Sequence, residues 1–278
     1  PMKHLKSILA AVLLAGLLLG CAPATDSLSV TILSIGKADC SILIQGDQVM
    51  VIDCGEAENS GEILQTLKGL GVTKIDCLVI THFDKDHVGG AADILKALAV
   101  SQVLEPDYNP ENSQSESYLT YRQALTDTKV SCLQVTDSKT FSLGTASVTV
   151  TGAGGKTYNK NVDNNNSLLV SVTHGGNRLL FAGDIEKQRI RDLLDTGIAQ
   201  YDFLKVPHHG VYNNALPDFF QAVGVQYAVI TCSEKNPADS ETLSALAERN
   251  VKTYLTSDGQ ITVTSTASGL HLRQEILK

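Results

Sequence analysis

The order of apolar runs along the chain predicts an α/β fold, a sandwich of two mixed β-sheets with helices on its outer faces. Three observations carry this. Short β-branched runs at strand period alternate with segments at helix period, the pattern of layered α/β domains. The 278 residues, 43% hydrophobic and 19% charged, suffice for one large domain or two small ones and exclude a disordered or fibrous protein. Residues 28–278 contain no linker and no repeat of fixed residue period, so one domain is expected there.

The elements follow in order. Leu28 to Ile35, Cys40 to Gln45 and Val49 to Asp53 read as strands, with Gly46-Asp47 as a hairpin turn between the last two. Ile63, Leu64, Leu67 and Leu70 recur at helix period from Gly61 to Leu70, and Gly71 stops the helix. The apolar run Ile75 to Ile80 is a strand, and a helix is expected from Ala91 to Val100. Glu105 to Gln114, with two prolines, reads as a polar loop, and Glu116 to Thr126 as a helix. Strands are expected at Val130 to Val135, Thr140 to Leu143, Ser147 to Thr151, Ser167 to Thr173 and Arg178 to Phe181, around a glycine- and asparagine-rich loop from Gly152 to Asn166. Asp202 to Val206 and Tyr227 to Thr231 continue the strands, a helix lies near Ser240 to Glu248, and Lys252 to Thr256, Ile261 to Thr264 and Leu270 to Gln274 close the chain.

Residues 1–21 stand apart as a signal segment, because Lys3, His4 and Lys6 precede an apolar run from Ile8 to Leu19. Twelve residues are too few for a bilayer span, which takes roughly 20 in a helix. Leu18-Leu19-Gly20-Cys21 resembles a bacterial lipoprotein processing site, with Cys21 lipidated and residues 22–27 a short linker. The expected location is extracytoplasmic, on a membrane through that anchor; the alternative is a plain secretory signal cut nearby. Without residues 1–21 the chain keeps 20 basic against 30 acidic residues, a formal charge of −10 that repels polyanions. Cys40, Cys54, Cys77, Cys132 and Cys232 show no C-x-x-C spacing, and they read as small buried hydrophobes rather than a disulfide framework.

Thr81-His82-Phe83-Asp84-Lys85-Asp86-His87-Val88-Gly89-Gly90 is the most informative stretch. Two histidines and two aspartates fall within six positions, directly after an apolar strand, where α/β proteins collect ligands. His82, Asp84 and Asp86 are spaced by two, so an extended turn presents them on one side. Imidazole with carboxylate suits zinc, manganese or iron, and crowded carboxylates need a nearby cation. Pro207-His208-His209-Gly210 follows another strand and holds two more of the histidines. His174, in a hairpin turn, reads as solvent-exposed, and His271 as structural; Cys54 and Cys77 read as outside any metal site, and Lys156 and Lys160 as solvated loop residues.

His-Phe-Asp-Lys-Asp-His resembles the His-x-His-x-Asp-His signature of the metallo-β-lactamase fold, with Asp84 in place of the second histidine. The form THxDxDHxGG is similar to the hydrolase domain of the competence DNA-uptake protein ComEC and its free-standing relatives. IGKADCSILIQGDQVMVIDCG, FAGD at Phe181 to Asp184, VPHHG and SDGQITV extend the resemblance through the chain. The resemblance implies two divalent metal ions, Zn or Mn, one held by His82 and Asp84, the other by Asp86 and His87, with Asp184 bridging. His208 would complete the second site, with His209 either that ligand instead or a neighbouring donor, and Asp53 would orient a ligand histidine.

Three departures mark this chain. Asp163-Asn164-Asn165-Asn166-Ser167 stands where the family offers a histidine, so the first site is weak or completed by Asp163 or an asparagine. Gly36-Lys37-Ala38-Asp39 replaces Gly-Gln-Gly-Asp, and Val211 follows His-His-Gly where serine is usual. The resemblance implies a metal-dependent hydrolase, with phosphodiester cleavage by an activated water as the first reading. Asp84 or Asp86 would orient the water and His209 would donate to the developing oxyanion or leaving group. The alternatives are a lactamase-like amide or thioester hydrolase and a non-catalytic, lipid-anchored metal-containing binding protein. The expected substrate is a small or short phosphate ester, with weak or no binding of long nucleic acid, and the protein is expected to be a monomer.

Overall fold

The computed structural model describes residues 26–276; the predicted signal segment and lipidation at Cys21 lie outside them. The described residues form a two-stranded sheet, Lys74–Ile75 with Ala99–Val100, and two large sheets. One has eight strands in the order Gly269–Gln274, Ile261–Thr266, Leu28–Ile32, Ser41–Gln45, Gln48–Ile52, Cys77–Val79, Gln102–Pro106, Ser131–Val135. The other has seven, in the order Lys252–Leu255, Tyr227–Ile230, Phe203–Lys205, Asn177–Phe181, Leu169–His174, Ala146–Thr151, Ser138–Leu143.

Strand alternation builds the layers. Ile42, Val49 and Val51 point outward to Ile63, Leu67, Ile94 and Tyr121 of the helices over the first sheet. Their neighbours Leu43, Met50 and Ile52 point inward to Val148, Val170, Phe181 and Phe203 of the second sheet. Leu180 and Leu204, on that sheet's other face, meet Ile190, Phe219, Phe220 and Leu246 of the helices outside it. One residue of register thus separates the middle layer from the outer ones.

The sequence reading passes over two helices, Lys187–Thr196 and Leu216–Val223. Topology requires them: Asn177–Phe181, Phe203–Lys205, Tyr227–Ile230 and Lys252–Leu255 run parallel, and each parallel step needs a crossover. The predicted loop from Glu105 begins inside a strand, Gln102–Pro106, because Glu105 is buried and accepts from Tyr121 Oη (2.8 Å) and Arg122 Nη1 (2.8 Å). The helix expected to reach Val100 ends at Ala97, and Ala99–Val100 pairs with Lys74–Ile75. The five cysteines of the described residues are free; four are buried as expected and Cys132 is exposed. His174 is 2% exposed rather than solvated, since its Nδ1 lies 3.1 Å from the Ser265 hydroxyl of the neighbouring sheet.

Candidate metal centre

The site lies where strands of the two sheets end side by side. Beyond Cys77–Val79 the chain stays extended to Asp84 and then makes one helical turn, Lys85–Val88. That change of direction brings the His82 and His87 rings to 4.0 Å between centroids. Beyond Gln48–Ile52, Asp53 takes a left-handed conformation (φ 60°) and grips the loop from beneath. Its Oδ1 accepts the Thr81 amide (2.7 Å), and its Oδ2 accepts the Thr81 hydroxyl (2.7 Å) and faces His87 Nδ1 (2.8 Å). His87 Nδ1–H therefore points at Asp53, and Nε2 is turned forward with its lone pair.

Asp184 follows Gly183, whose left-handed φ of 53° suits glycine; a Cβ there would also sit 2.8 Å from Ser167 Cβ. Asp184 Oδ2 lies 3.2 Å from His87 Nε2 and 3.1 Å from His209 Nε2. His209 Nε2 is also 3.4 Å from Asp86 Oδ2, while its Nδ1 donates to the Thr231 carbonyl (3.1 Å). On the other flank His82 Nε2 is 3.6 Å from Asp84 Oδ2, and His82 with His87 and Asp184 offers three ligand atoms within 4.8 Å of one another.

The structure thus brings together His82, Asp84, Asp86, His87, Asp184 and His209, with Asp53 behind His87. It does not bring His208 into the cluster, contrary to the expectation that His208 completes the second site. Both residues of the turn are left-handed (φ 47° and 52°), which swings His209 inward, while His208 Nδ1 lies 3.0 Å from Glu186 Oε1 on the wall. Paired strain of this kind is held only where surrounding contacts over-determine it. Of the asparagines after Asp163, Asn165 and Asn166 donate to backbone carbonyls, while Asn164 donates to Glu186 (3.0 Å) and keeps its Oδ1 buried without a partner. Asp163 accepts the Glu111 amide (3.1 Å), and burial raises its carboxyl above the usual range.

Electrostatics and orphaned atoms make this a candidate cation site. Burial opposes ionisation of Asp184, yet His209, His87 and Lys205 around it hold its carboxyl well below the usual range. Burial likewise opposes the charged form of His87, but Asp184, Asp53 and Asp39 outweigh it and push that histidine up. His82 Nε2, His87 Nε2, His209 Nε2 and Asp184 Oδ1 are buried without a hydrogen-bond partner. Such atoms are costly unless something polar meets them, and divalent metal between them fits the donor set. Cys54 and Cys77 stay apart as thiols, pushed up by burial, Cys77 to about 12. A cavity of about 370 Å³ lined by Lys37, Phe83, Asp84, Asp86, Asp184 and His208 gives access.

Sequence reasoning missed Lys205, Thr231 and Glu186, and it noted Asp39 only as part of a variant motif. Lys205 ends its strand with its ammonium against Asp39 and 3.7 Å from Asp184 Oδ1. Its position next to Val206-Pro207-His208-His209 was the one available signal.

A two-sheet α/β sandwich with a histidine and aspartate cluster at its strand ends has the architecture of a metal-dependent protein whose centre lies between the sheets. The chain belongs to the metallo-beta-lactamase superfamily, whose sequence profile matches residues 35–233; its members are generally hydrolases and use divalent metals. Recombination protein 2 of Haemophilus influenzae is 26% identical over 210 residues, 74% of this chain and 24% of that protein. ComE operon protein 3 of Bacillus subtilis is 25% identical over 175 residues, 63% of this chain and 22% of that protein. The chain spans about a quarter of the length of these curated relatives. The metallo-beta-lactamase fold protein YhfI from Bacillus subtilis superposes with a TM-score of 0.53 at 12% identity, over 82% of this chain and 95% of that one, a likeness of fold alone.

Proposed function

We propose that the protein is a metal-dependent phosphodiesterase acting on small or short phosphate esters. The observation that carries this is the set of three buried imidazole nitrogens without a hydrogen-bond partner, His82 Nε2, His87 Nε2 and His209 Nε2, gathered around the Asp184 carboxylate. Two divalent ions there, Zn or Mn, would supply a water with its pKa lowered toward ~7 and stabilise charge on the attacked oxygen. His82 and Asp84 would hold one ion, Asp86, His87 and His209 the other, and Asp184 would serve both. With its Nε2 turned to the metals, His209 is left no proton for a leaving group, so that role passes to His208 on the cavity wall. Asp84 and Asp86, at the mouth, would orient the water, and Lys37 and Lys85 line the cavity through which phosphate oxygens would enter.

Support for phosphate chemistry comes from the relative named a recombination protein, a name that points toward nucleic acid, and from paired metals suiting in-line displacement at phosphorus. Elemental analysis followed by a chromogenic phosphodiester assay with Zn and with Mn tests the reading. Two metals per chain and hydrolysis are expected. Metal with cleavage of a β-lactam or thioester instead would favour the lactamase-like alternative, and metal with no turnover a binding protein.

The location proposed is the cell envelope, through lipid on Cys21. Cys21→Ser should leave the protein unprocessed or release it from membranes. Continued lipid attachment and unchanged fractionation of the variant would remove the anchor.

A further inference from the structure

We propose that Lys205 is a positioning residue of this centre, fixing from behind the carboxylate that both metals share; the inference rests on the metal-centre reading above. Lys205 is 2% exposed, and its ammonium pairs with Asp39 Oδ2, lies 3.7 Å from Asp184 Oδ1 and meets the Gly183 carbonyl at 3.5 Å. It therefore attracts the Asp184 oxygen turned away from His87 and His209, and steadies the peptide just before Asp184.

Asp39 carries the same restraint to the other ligands. Its Oδ1 accepts the Thr231 hydroxyl, and the Thr231 carbonyl receives His209 Nδ1–H (3.1 Å). The Asp39 amide donates to the Asp86 carbonyl (3.0 Å). Asp39, His87 and His209 offer ligand atoms within 4.8 Å, but they are not a further metal site. Asp39 faces the rear nitrogens, 3.8 Å from His87 Nδ1 and 3.6 Å from His209 Nδ1, and both of its oxygens are committed to Lys205 and Thr231. Asp53 supports His87, Asp39 supports His209, and Lys205 ties that support to Asp184.

A buried lysine is costly where an apolar side chain of like volume would fill the space, so its retention needs a role. Charge supplies one half of it. Asp39, Asp53, Asp84, Asp86 and Asp184 against one ammonium leave four negative charges, which two divalent ions balance. Position supplies the other half, and the two predict opposite effects. By charge alone, removing a cation beside a cation site tightens divalent binding. If Lys205 positions Asp184, its removal weakens binding because the shared carboxylate loses its orientation.

The test titrates metal-free protein with Co²⁺, following stoichiometry by elemental analysis and geometry by the visible absorption of the bound ion. Lys205→Met should bind Co²⁺ about 10- to 100-fold more weakly, the range for lost outer partners of metal ligands, with an altered spectrum. Lys205→Arg should recover part of the loss. The double variant Asp39→Asn/Lys205→Met removes both charges together, which avoids an unpaired buried carboxylate and keeps the fold measurable if Lys205→Met does not fold. It too should bind weakly. Unchanged or tighter Co²⁺ binding in the variants, with wild-type protein binding normally, overturns the positioning role alone. Wild-type protein that binds no Co²⁺ sinks the metal-centre reading and this inference with it.

Discussion

The aspartates at this site are not equivalent. Asp184 stands 3.2 and 3.1 Å from the forward nitrogens of His87 and His209, whereas Asp84 faces His82 alone at 3.6 Å. Asp184→Ala should therefore abolish retention of both metals and lower turnover by more than about 100-fold, beyond the loss of an outer partner. Asp84→Ala should cost one metal. Elemental analysis that finds full metal in Asp184→Ala would remove Asp184 from the centre. His209 adds a pH dependence. Burial favours its neutral form, but Asp184, Asp39 and Asp86 outweigh burial and raise its pKa from 6.5 to about 9 in the metal-free protein. A raised histidine adds stability that is complete below about 6.5 and is lost as pH climbs through 9. Metal needs the neutral ring, so its affinity should rise over the same window. Melting temperatures of metal-free protein from pH 6 to 10 check this; a flat profile contradicts it.

At the scale of elements, the site depends on helices that never touch it. Leu216–Val223 buries Phe219 and Phe220 against the outer face of the sheet whose strand Phe203–Lys205 leads into the histidine turn. Phe220→Ala should lower the unfolding free energy by about 3–5 kcal/mol, the cost of removing a buried phenylalanine. Denaturant titration measures it. Because the helix packs on the far face, metal stoichiometry of the remaining folded protein should not change; a loss of metal would show that the helix sets ligand geometry as well. The same scale explains what was legible. Period-2 strands and the helix Ser60–Gly69 were readable because alternation and a glycine stop are local signals. Leu216–Val223 carries such signals too, Pro217 in its first turn and Gly224 (φ 60°) after its end, but its eight residues give the helix period little length to show, and the parallel strands on either side are what require it.

At the scale of the whole molecule, the proposed preference for small substrates rests on charge. A formal net charge of −8 offers no general cationic surface for long single strands. A chromogenic phosphodiester should be cleaved in preference to long single-stranded DNA at equal manganese and low salt. Efficient degradation of the long strand that weakens steeply with salt would mean that the groove lined by Lys156, Lys187 and Arg191 outweighs the net charge.

The sequence by itself determined the layers and the metal-binding character of the protein. Both are local: strand alternation, and four ligand-type side chains within six residues after one strand. Within the described residues no helix is long and apolar enough to cross a membrane. Only the tertiary structure decided which histidine of the pair turns inward, because two left-handed residues and the distant Thr231 carbonyl set that direction. It alone placed Lys205 between Asp39 and Asp184, partners 166 and 21 residues away in sequence. No pattern along the chain encodes such contacts, since each forms only when strands from both sheets meet at a common edge.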